Sequence, residues 1–450
     1  MRKLSGVRTP HQKKTTDCTP ETIPVPAEVV LPMSMHIGTP AKPVVKVGAE
    51  VKVGQLVAEA TGPVSSPVYA SVSGKVKSVE AFEGANGARS TAVIIASDGF
   101  QTPYEGLALP AVTNTEEFIS AVRDSGAVGL GGAGFPTAAK LKIDPEKIDY
   151  IIIINGAECE PYITSDTRTM LDDANLVWEG ALLLKKYLGV KSIIIAIEDN
   201  NPGPFKRMEA YSAGSSGISV RSLPTLYPQG GEKVLIYNIT GRVVPEGKLP
   251  LNVGVIVLNC TTVATIARYI ETGMPLVSKC VTVDGSAVKE PKNVIAPIGT
   301  PIQELFDYCG GFSDEPGKVL YGGPMMGIAI HDLRLPVLKS TNAVLAFNEK
   351  DAKLPKESAC IRCTRCVASC PLKLMPLNIE TAYQLKKPEL LEKYKVNICM
   401  ECGCCAYVCP AKRPLVHVMK LSKDMLRDYQ TVRKAERERT ETTGKEEARI

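Results

Sequence analysis

Nine of the fourteen cysteines lie in a short stretch near the carboxyl end, in two runs of the same form. Each run reads C-x2-C-x2-C-x3-C-P, a spacing that ligates [4Fe–4S] clusters, and the last cysteine of each run serves the cluster of the other. One cluster is therefore predicted on Cys360, Cys363, Cys366 and Cys409. The second is predicted on Cys399, Cys402, Cys405 and Cys370. Cys404 fits no ligand position in this scheme.

Two other uses of cysteine fit the pattern less well. Structural zinc sites usually have two separated C-x2-C pairs or mixed Cys/His ligands, not four cysteines in a row before a proline. Disulfide frameworks belong to oxidising compartments and to short secreted chains. The spacing therefore favours one-electron chemistry, and it raises the question of where the electrons come from or go.

The bulk composition is that of a globular protein. The 450 residues are 44% hydrophobic and 22% charged, enough for two to four domains with a sizeable core. The amino terminus has no apolar signal region, so the cysteines suggest a reducing cytosol. Apolar runs such as 150–154 and 253–258 are too short to span a bilayer. We expect a soluble or peripheral protein.

The positive charge is concentrated near the predicted clusters. The chain has a net charge of +5, yet residues 351–450 hold 20 Lys and Arg against 13 Asp and Glu. Such an excess can be a solvated surface. It can also be a docking face for an acidic redox protein or for an anionic membrane surface.

The first part of the chain predicts a loose arm and a small β module. Residues 1–25 show no periodic pattern and are assigned to an arm. Residues 26–105 carry short alternating strands with glycine turns, typical of a barrel or sandwich. The module resembles the hammerhead fold of lipoyl and biotinyl carriers. The turn at Ser65 and Ser66 has no lysine to modify, so we interpret the module as structural.

A glycine-rich segment follows a predicted helix at 115–123. Gly129, Gly131 and Gly134 match G-x-G-x-x-G, but the dinucleotide fingerprint needs a strand before it, and here a helix precedes it. Glycines most often serve turns. They also let backbone N–H groups approach a phosphate or a flat ring ahead of a helix N-terminus. Lys140 lies one turn beyond the segment.

Strands and helices then alternate across residues 110–272. Strands are predicted at 150–154, 191–197, 218–223 and 254–258. Helices are predicted at 168–188, 204–213 and 262–272, and a further helix is predicted to end at 239. This alternation predicts a mostly parallel, Rossmann-like sheet covered on both faces. Ligands of such sheets lie at the carboxyl ends of strands, where 155–160 and 259–262 are polar.

The remaining segments predict a β-grasp domain and a cluster domain. Residues 273–347 return to short strands with one helix near 302–309, and residues 350–415 contain the cysteine runs. Residues 416–450 form a charged tail, with an amphipathic helix at 415–429 and a disordered or solvated helical end from 433.

The ordered motifs carry a family resemblance. Gly131-Gly-Ala-Gly134-Phe-Pro-Thr, Asn155-x-x-Glu158-x-Glu160-Pro, Gly231-Glu232 and Asn259 occur in the order found in the FMN- and NADH-binding subunit of respiratory complex I. The segment 155–164, Asn-Gly-Ala-Glu-Cys-Glu-Pro-Tyr-Ile-Thr, is more similar to the RnfC family. The resemblance covers roughly residues 26–415. It implies an α/β multidomain protein with a barrel-sandwich domain, a flavin domain, an SLBB β-grasp domain and a helical two-[4Fe–4S] ferredoxin domain.

The resemblance also implies roles for individual residues. An FMN cradle is expected from Gly131, Gly132, Gly134 and Lys140. Further contacts to the flavin are expected from Asn155, Glu158, Cys159, Gly231, Glu232 and Asn259. Phe135 is expected to stack on NAD(H), and Glu160 to hydrogen-bond it. Taken alone, Glu158 and Glu160 could equally cap the next helix or face solvent. Departures from the complex I pattern at Ala157, Cys159 and Lys233 agree with the RnfC version.

The expected function is electron transfer between ferredoxin and NAD+ through two clusters and FMN, because a flavin can exchange electrons with both kinds of carrier. The family implies membrane subunits of an Rnf complex as partners, with ferredoxin bound directly or through a partner iron–sulfur subunit, and no nucleic acid. It implies a peripheral position on the cytoplasmic face of the membrane. Two alternatives remain: a soluble flavin/iron–sulfur reductase such as a cobalamin reductase, and a non-catalytic electron carrier.

Overall fold

A computed structural model describes residues 4–143 and 149–447, and of residues 437–447 it describes the backbone alone. The strands in these ranges form four sheets, and the cysteine runs lie in a helical region after the last sheet. None of the helices in the same ranges combines the length and the hydropathy that crossing a bilayer requires. The mixed α/β class expected from the sequence is confirmed.

The barrel module consists of two antiparallel sheets around one core. The larger sheet has the strand order Glu28–Pro32, Arg89–Ser97, Gly74–Glu83, Glu50–Val51. The smaller has the order Lys42–Pro43, Leu56–Glu59, Val68–Tyr69. Alternate residues such as Val29, Leu31, Val93 and Ile95 are fully buried between them, as half-buried strands require. Ser65 and Ser66 are also buried, so this turn is not an exposed carrier tip.

The amino-terminal arm is not loose, and this expectation was wrong. Glu21–Thr22 adds a parallel edge strand to the β-grasp sheet, beside Val294 and Ile295. Val7 exchanges two backbone hydrogen bonds with Tyr227, at 2.8 and 2.9 Å. Backbone hydrogen bonds and a few side-chain contacts hold much of the arm in place. Contacts of this kind require no periodic apolar pattern, so the sequence did not indicate that the arm is ordered.

The flavin-domain sheet is parallel throughout, in the order Ile218–Leu223, Ser192–Glu198, Ile151–Gly156, Val255–Asn259. Ile152 and Ile154 pack on one face, and Ile153 on the other. All three side chains are fully buried, which explains the continuous apolar run of this strand. Burying each isoleucine stabilises the fold by roughly 2 kcal/mol. The four strand positions expected from the sequence are confirmed.

Helices cover both faces of this sheet. Their bounds are Thr115–Asp124, Thr137–Lys140, Ser165–Asp172, Ala174–Leu188, Pro202–Ser212, Glu232–Thr240 and Cys260–Thr272, with a 3-10 turn at Pro250–Val253. The single helix expected at 168–188 is two helices. The first starts earlier because a carboxylate outside it caps its amino end, and the chain leaves helical geometry at Asp173, where ψ is 29°.

The β-grasp region forms a six-stranded mixed sheet. Its strand order is Glu21–Thr22, Lys292–Pro297, Ser278–Asp284, Ala343–Asn348, Pro316–Tyr321, Ile328–Ile330. The helix Ile302–Tyr308 buries Phe306 against this sheet. A short helix, Glu349–Ala352, leads out of the domain.

The cysteine-rich region is helical. Its elements are Arg365–Ser369, Pro376–Gln384, Pro388–Lys393, Val396–Ile398, Cys404–Tyr407 and Leu415–Glu447. The last helix buries Met419 and Leu426 against the preceding helices, as an amphipathic pattern predicts. It runs as a helix to 447, and residues 448–450 of the expected tail lie outside the described residues.

Candidate cofactor sites

The glycine-rich loop is closed at its base and open at its tip. Gly134 N donates to Gly129 O at 2.9 Å, and Gly129 N donates to Phe135 O at 2.9 Å. Gly131 and Gly132 lie exposed at the tip. Gly132 has a φ of +112°, which an L side chain rarely adopts, and a Cβ placed there would meet nothing within 4 Å. The loop therefore leaves open space over Gly132 that a ligand can fill.

Asn259 and Lys140 lie close to this loop. A Cβ on Gly131 would come within 2.7 Å of Asn259 Nδ2. Asn259 Oδ1 accepts from Thr262 N and so caps the helix Cys260–Thr272. Lys140 Nζ donates to Glu232 Oε1 at 2.9 Å and lies 5.8 Å from the Phe135 ring centroid. The structure thus places Asn259 beside the glycine-rich loop, and it places Glu232 beside Lys140 of the helix after the loop.

The polar segment after the strand Ile151–Gly156 faces the turn at Gly230 and Gly231. Asn155 Nδ2 donates to Gly230 O at 2.9 Å, and Gly230 N donates to Cys159 Sγ at 3.4 Å. Burial raises the pKa of the Cys159 thiol well above its usual value, so this sulfur is held as a neutral thiol. A neutral, buried thiol is a poor nucleophile, so Cys159 is better suited to line the pocket than to react.

Glu158 caps a helix. Its Oε1 accepts from Asp166 N at 2.8 Å, and its Oε2 accepts from Thr167 N and Thr167 Oγ1 at 3.1 and 2.8 Å. The two backbone N–H groups, of Asp166 and Thr167, are among the otherwise unsatisfied donors at the start of the helix Ser165–Asp172. The arrangement matches the capping alternative left open by the sequence. A direct contact between Glu158 and FMN stays a prediction.

Glu160 lies beneath a loop of the β-grasp domain. Its carboxylate accepts from Met325 N at 3.2 Å and from Met326 N at 2.9 Å. Burial raises the pKa of Glu160 to about 7, although these two amide donors act in the opposite direction. The residue therefore links the flavin domain to the β-grasp domain, and any contact with NAD(H) would be made from this position.

Two charged residues of this region were missed by the sequence analysis. Glu198 ends the strand Ser192–Glu198, is 3% exposed, and has an Oε1 atom with no hydrogen-bond partner among the described residues. Its place at a strand end was the signal that could have identified it. Lys13 of the arm lies close to Glu158, and no feature of the sequence around Lys13 indicated this contact.

The cysteines surround two separate spaces. Cys360, Cys363, Cys366 and Cys409 line one cavity. Cys370, Cys399, Cys402 and Cys405 line the other, and Cys404 lines it as well. Within the described ranges, no group of three or more His, Cys, Asp or Glu side chains is placed to hold a single metal ion. Each set of four thiols around its own space fits a cubane, and each set draws its fourth cysteine from the opposite run.

The second cavity adjoins the flavin domain, whereas the first faces outward. A Cβ on Gly231 would collide with the Met400 side chain. Cys402 and Cys404 share one apolar cluster with Tyr227 and Cys159. By contrast, the first set contains two exposed cysteines. The second cysteine set thus lies beside the glycine turn, and the first set lies partly at the surface.

Comparison with known proteins matches four domain families to this chain. Four family models match: the RnfC barrel sandwich hybrid domain over residues 2–100, the Nuo51 FMN-binding domain over 122–268, the SLBB domain over 280–329 and a 4Fe-4S dicluster domain over 353–410. A component of the proton-translocating ferredoxin:NAD(+) oxidoreductase complex of Clostridium ljungdahlii is 41% identical over 85% of this chain and 86% of its own length. The chain belongs to the RnfC family.

Other relatives of this RnfC chain are equally extensive. The corresponding component of the Na(+)-translocating ferredoxin:NAD(+) oxidoreductase complex of Acetobacterium woodii is 43% identical over 93% of this chain and 95% of its own length. Among solved structures, an NAD+-reducing [NiFe]-hydrogenase in the air-oxidized state has a TM-score of 0.48 at 19% identity, covering 62% of this chain and 54% of its own.

RnfC membership confirms the expected cofactor classes. The chain contains an FMN-binding domain and a 4Fe-4S dicluster domain, and it is a subunit of a multi-subunit oxidoreductase complex. The open space over Gly132 and the two cysteine-lined cavities fit these groups. The family assignment also favours the oxidoreductase subunit over the cobalamin reductase and the non-catalytic carrier.

Proposed function

We propose that this chain is the NAD(H)-linked subunit of an ion-translocating complex and that it passes electrons between ferredoxin and NAD+. Two one-electron donations and one proton convert NAD+ to NADH, so the chain must join one-electron and two-electron carriers. FMN supplies that conversion when bound. The observation that carries the proposal is the contact between the glycine turn of the flavin domain and the second cysteine set, through Gly231 and Met400.

The residues of the flavin domain have distinct proposed tasks. Gly131 and Gly132 let the backbone approach the FMN phosphate, Gly134 shapes the loop, and Lys140 adds positive charge. The remaining contacts line the ring and ribityl chain; they are Asn155, Cys159, Gly231, Glu232 and Asn259. Phe135 and Glu160 are proposed to orient the nicotinamide nucleotide, with Glu158 holding their neighbouring helix in place.

The two cysteine sets are proposed to act in sequence. Cys370, Cys399, Cys402 and Cys405 hold the cluster next to the flavin. Cys360, Cys363, Cys366 and Cys409 hold the cluster that meets the external carrier. The exposure of Cys360 and Cys363 supports this order, because an external protein must approach closely to exchange an electron.

The function is tested by adding NADH to the purified protein and recording its visible spectrum. We expect flavin absorbance to bleach, and we expect Glu160→Gln to weaken NADH-driven dye reduction roughly tenfold while flavin and iron contents stay unchanged. Glu209→Gln, an exposed carboxylate of the same domain, serves as the control. A protein that folds without flavin would refute the function, and unchanged kinetics of Glu160→Gln would remove Glu160 from the site.

The chain segments that carry the outward cysteine set also carry exposed cations, and this surface is proposed to bind an acidic one-electron carrier. Its exposed cations are Lys353, Lys356, Arg362, Arg365 and Lys412. Ile361 is 67% exposed among them and offers an apolar contact beside the cluster. Charged surfaces of this kind steer association, and salt screens them.

Reversing two of these charges is expected to slow reduction by reduced ferredoxin. The variant Arg362→Glu/Arg365→Glu should lower the association rate by about 10-fold or more at low salt, and the difference should shrink as ionic strength rises. Lys206→Glu/Arg207→Glu, an exposed pair on the flavin domain, is the matched control. If the two double variants behave alike, or if only vesicle binding changes, the surface does not serve a protein carrier.

Attachment to the complex is proposed to be peripheral, on the cytoplasmic face of the membrane. Free thiols for two clusters and a supply of NAD(H) support a reducing compartment. Separating membranes from cytosol with and without high salt would test this placement.

A further inference from the structure

The arm carries one side chain into the flavin domain. Lys13 Nζ donates to Glu158 O and to Ile163 O, each at 2.6 Å, and lies 3.7 Å from Glu158 Oε2. Its side chain is 14% exposed and that of Glu158 is 5% exposed. These two carbonyls belong to the turn that contains Cys159 and Glu160. Lys13 therefore spans the turn that the proposed site depends on, although it lies outside the matched FMN-binding domain, which starts at residue 122.

The arm is anchored on both sides of Lys13, so this position is fixed. Toward the amino end, Lys373 Nζ donates to Ser5 Oγ at 2.5 Å, and Val7 pairs with Tyr227. Toward the carboxyl end, Thr15 Oγ1 lies 2.6 Å from Thr164 Oγ1, and the edge strand Glu21–Thr22 follows. The arm thus contacts the cluster domain, the flavin domain and the β-grasp domain in turn.

Lys13 brings positive charge to a region rich in buried carboxyl groups. Burial raises the pKa of Glu158, Glu160 and Glu198 to about 7 in each case, and the ammonium of Lys13 opposes that rise for all three. Asp166 adds negative charge beside Glu158, and Asp199 does so beside Glu198. A dinucleotide is anionic, and a flavin gains negative charge on accepting electrons, so uncompensated carboxylates here would disfavour both.

We propose that Lys13 is a positioning residue of the NAD(H) and FMN site, supplied by the amino-terminal arm. It holds the turn 158–163 in place and offsets the carboxylates around it. Because this inference rests on the proposed function, wild-type flavin content and NADH bleaching are measured first, and they report on the function alone.

Three substitutions separate charge from packing. Lys13→Met removes the charge and the hydrogen bonds, Lys13→Gln removes the charge but retains an amide donor, and Lys13→Arg keeps the charge. Lys14→Met is the matched control, since Lys14 is exposed and faces Asp284 instead. Folding of each variant is checked by iron content and circular dichroism.

The readouts are the flavin midpoint potential and the dissociation constant for NADH. We expect Lys13→Met and Lys13→Gln to lower the potential and to weaken NADH binding roughly tenfold, with Lys13→Arg and Lys14→Met close to wild type. If Lys13 only stabilised the fold, the flavin midpoint potential would not depend on the charge of the side chain at position 13. If either neutral variant folds with wild-type potential and NADH affinity, the inference is overturned; if Lys13→Met does not fold, Lys13→Gln decides.

Discussion

Cys402→Ser is expected to remove about half of the bound iron and to abolish electron transfer from NADH to a one-electron acceptor, while NADH still bleaches the flavin. Cys402 lines the cavity next to the flavin domain, and loss of one thiolate from a four-thiolate set destabilises the cluster. Because Met400 of the second cysteine run lies against Gly231, loss of this cluster interrupts the proposed path between the flavin and the outward set. Iron analysis, cluster spectroscopy and acceptor reduction measure the three effects separately.

Cys404→Ser is the matched control for this experiment. Cys404 lies two residues away, is 1% exposed, and donates its S–H to Tyr227 O at 3.8 Å. Its replacement should keep the iron content and most of the acceptor activity, with a modest loss of stability. If Cys404→Ser loses as much iron as Cys402→Ser, the ligand assignment is wrong and Cys404 binds the cluster.

Gly132→Val is expected to weaken FMN binding on the order of 100-fold, which corresponds to about 2.7 kcal/mol. A β-branched residue is strained at a φ of +112°, and its side chain would enter the open space over the loop. The measurement is fluorescence titration of the flavin-free protein with FMN. The cluster content should stay unchanged, because the cysteines lie in a different domain.

Gly189→Val separates the loss of ligand space from backbone strain. Gly189 ends the helix Ala174–Leu188 with a φ of +61°, and a Cβ there also meets nothing within 4 Å. Both substitutions should cost roughly 1–3 kcal/mol of stability through strain. Equal loss of FMN in the two variants would mean that the loop tip does not approach the cofactor.

Much of this architecture could be predicted from the sequence, because its patterns are local. The strand Ile151–Gly156 is apolar at every buried position, and the cysteine spacing alone separated the eight thiols into two crossed sets. The helix predicted at 115–123 is observed at Thr115–Asp124, and the residue just before it caps it, since Asn114 accepts from Glu117 N. The strand and the helix cap are formed by neighbours in the chain, and each cysteine set takes three of its four members from one short run.

The parts that could not be predicted depend on residues far apart in the chain. Nothing near Lys13 indicates that it will contact Glu158, 145 residues later. Glu158 itself resembles a ligand in its motif, yet its carboxylate oxygens serve the helix beyond it. The approach of Met400 to Gly231 likewise follows from domain packing, which no single segment encodes.

The arm also has a consequence for the order of assembly in the cell. Ser5, Arg8 and Lys13 leave the ribosome before their partners Lys373, Tyr407 and Glu158 have been synthesised. Domains generally fold as they emerge, amino terminus first, but this segment must wait for almost the entire polypeptide. We therefore expect Ser5 and Arg8 to dock only after the cluster domain has been made, so that a bulky group attached to this part of the arm would interfere with late maturation more than with synthesis.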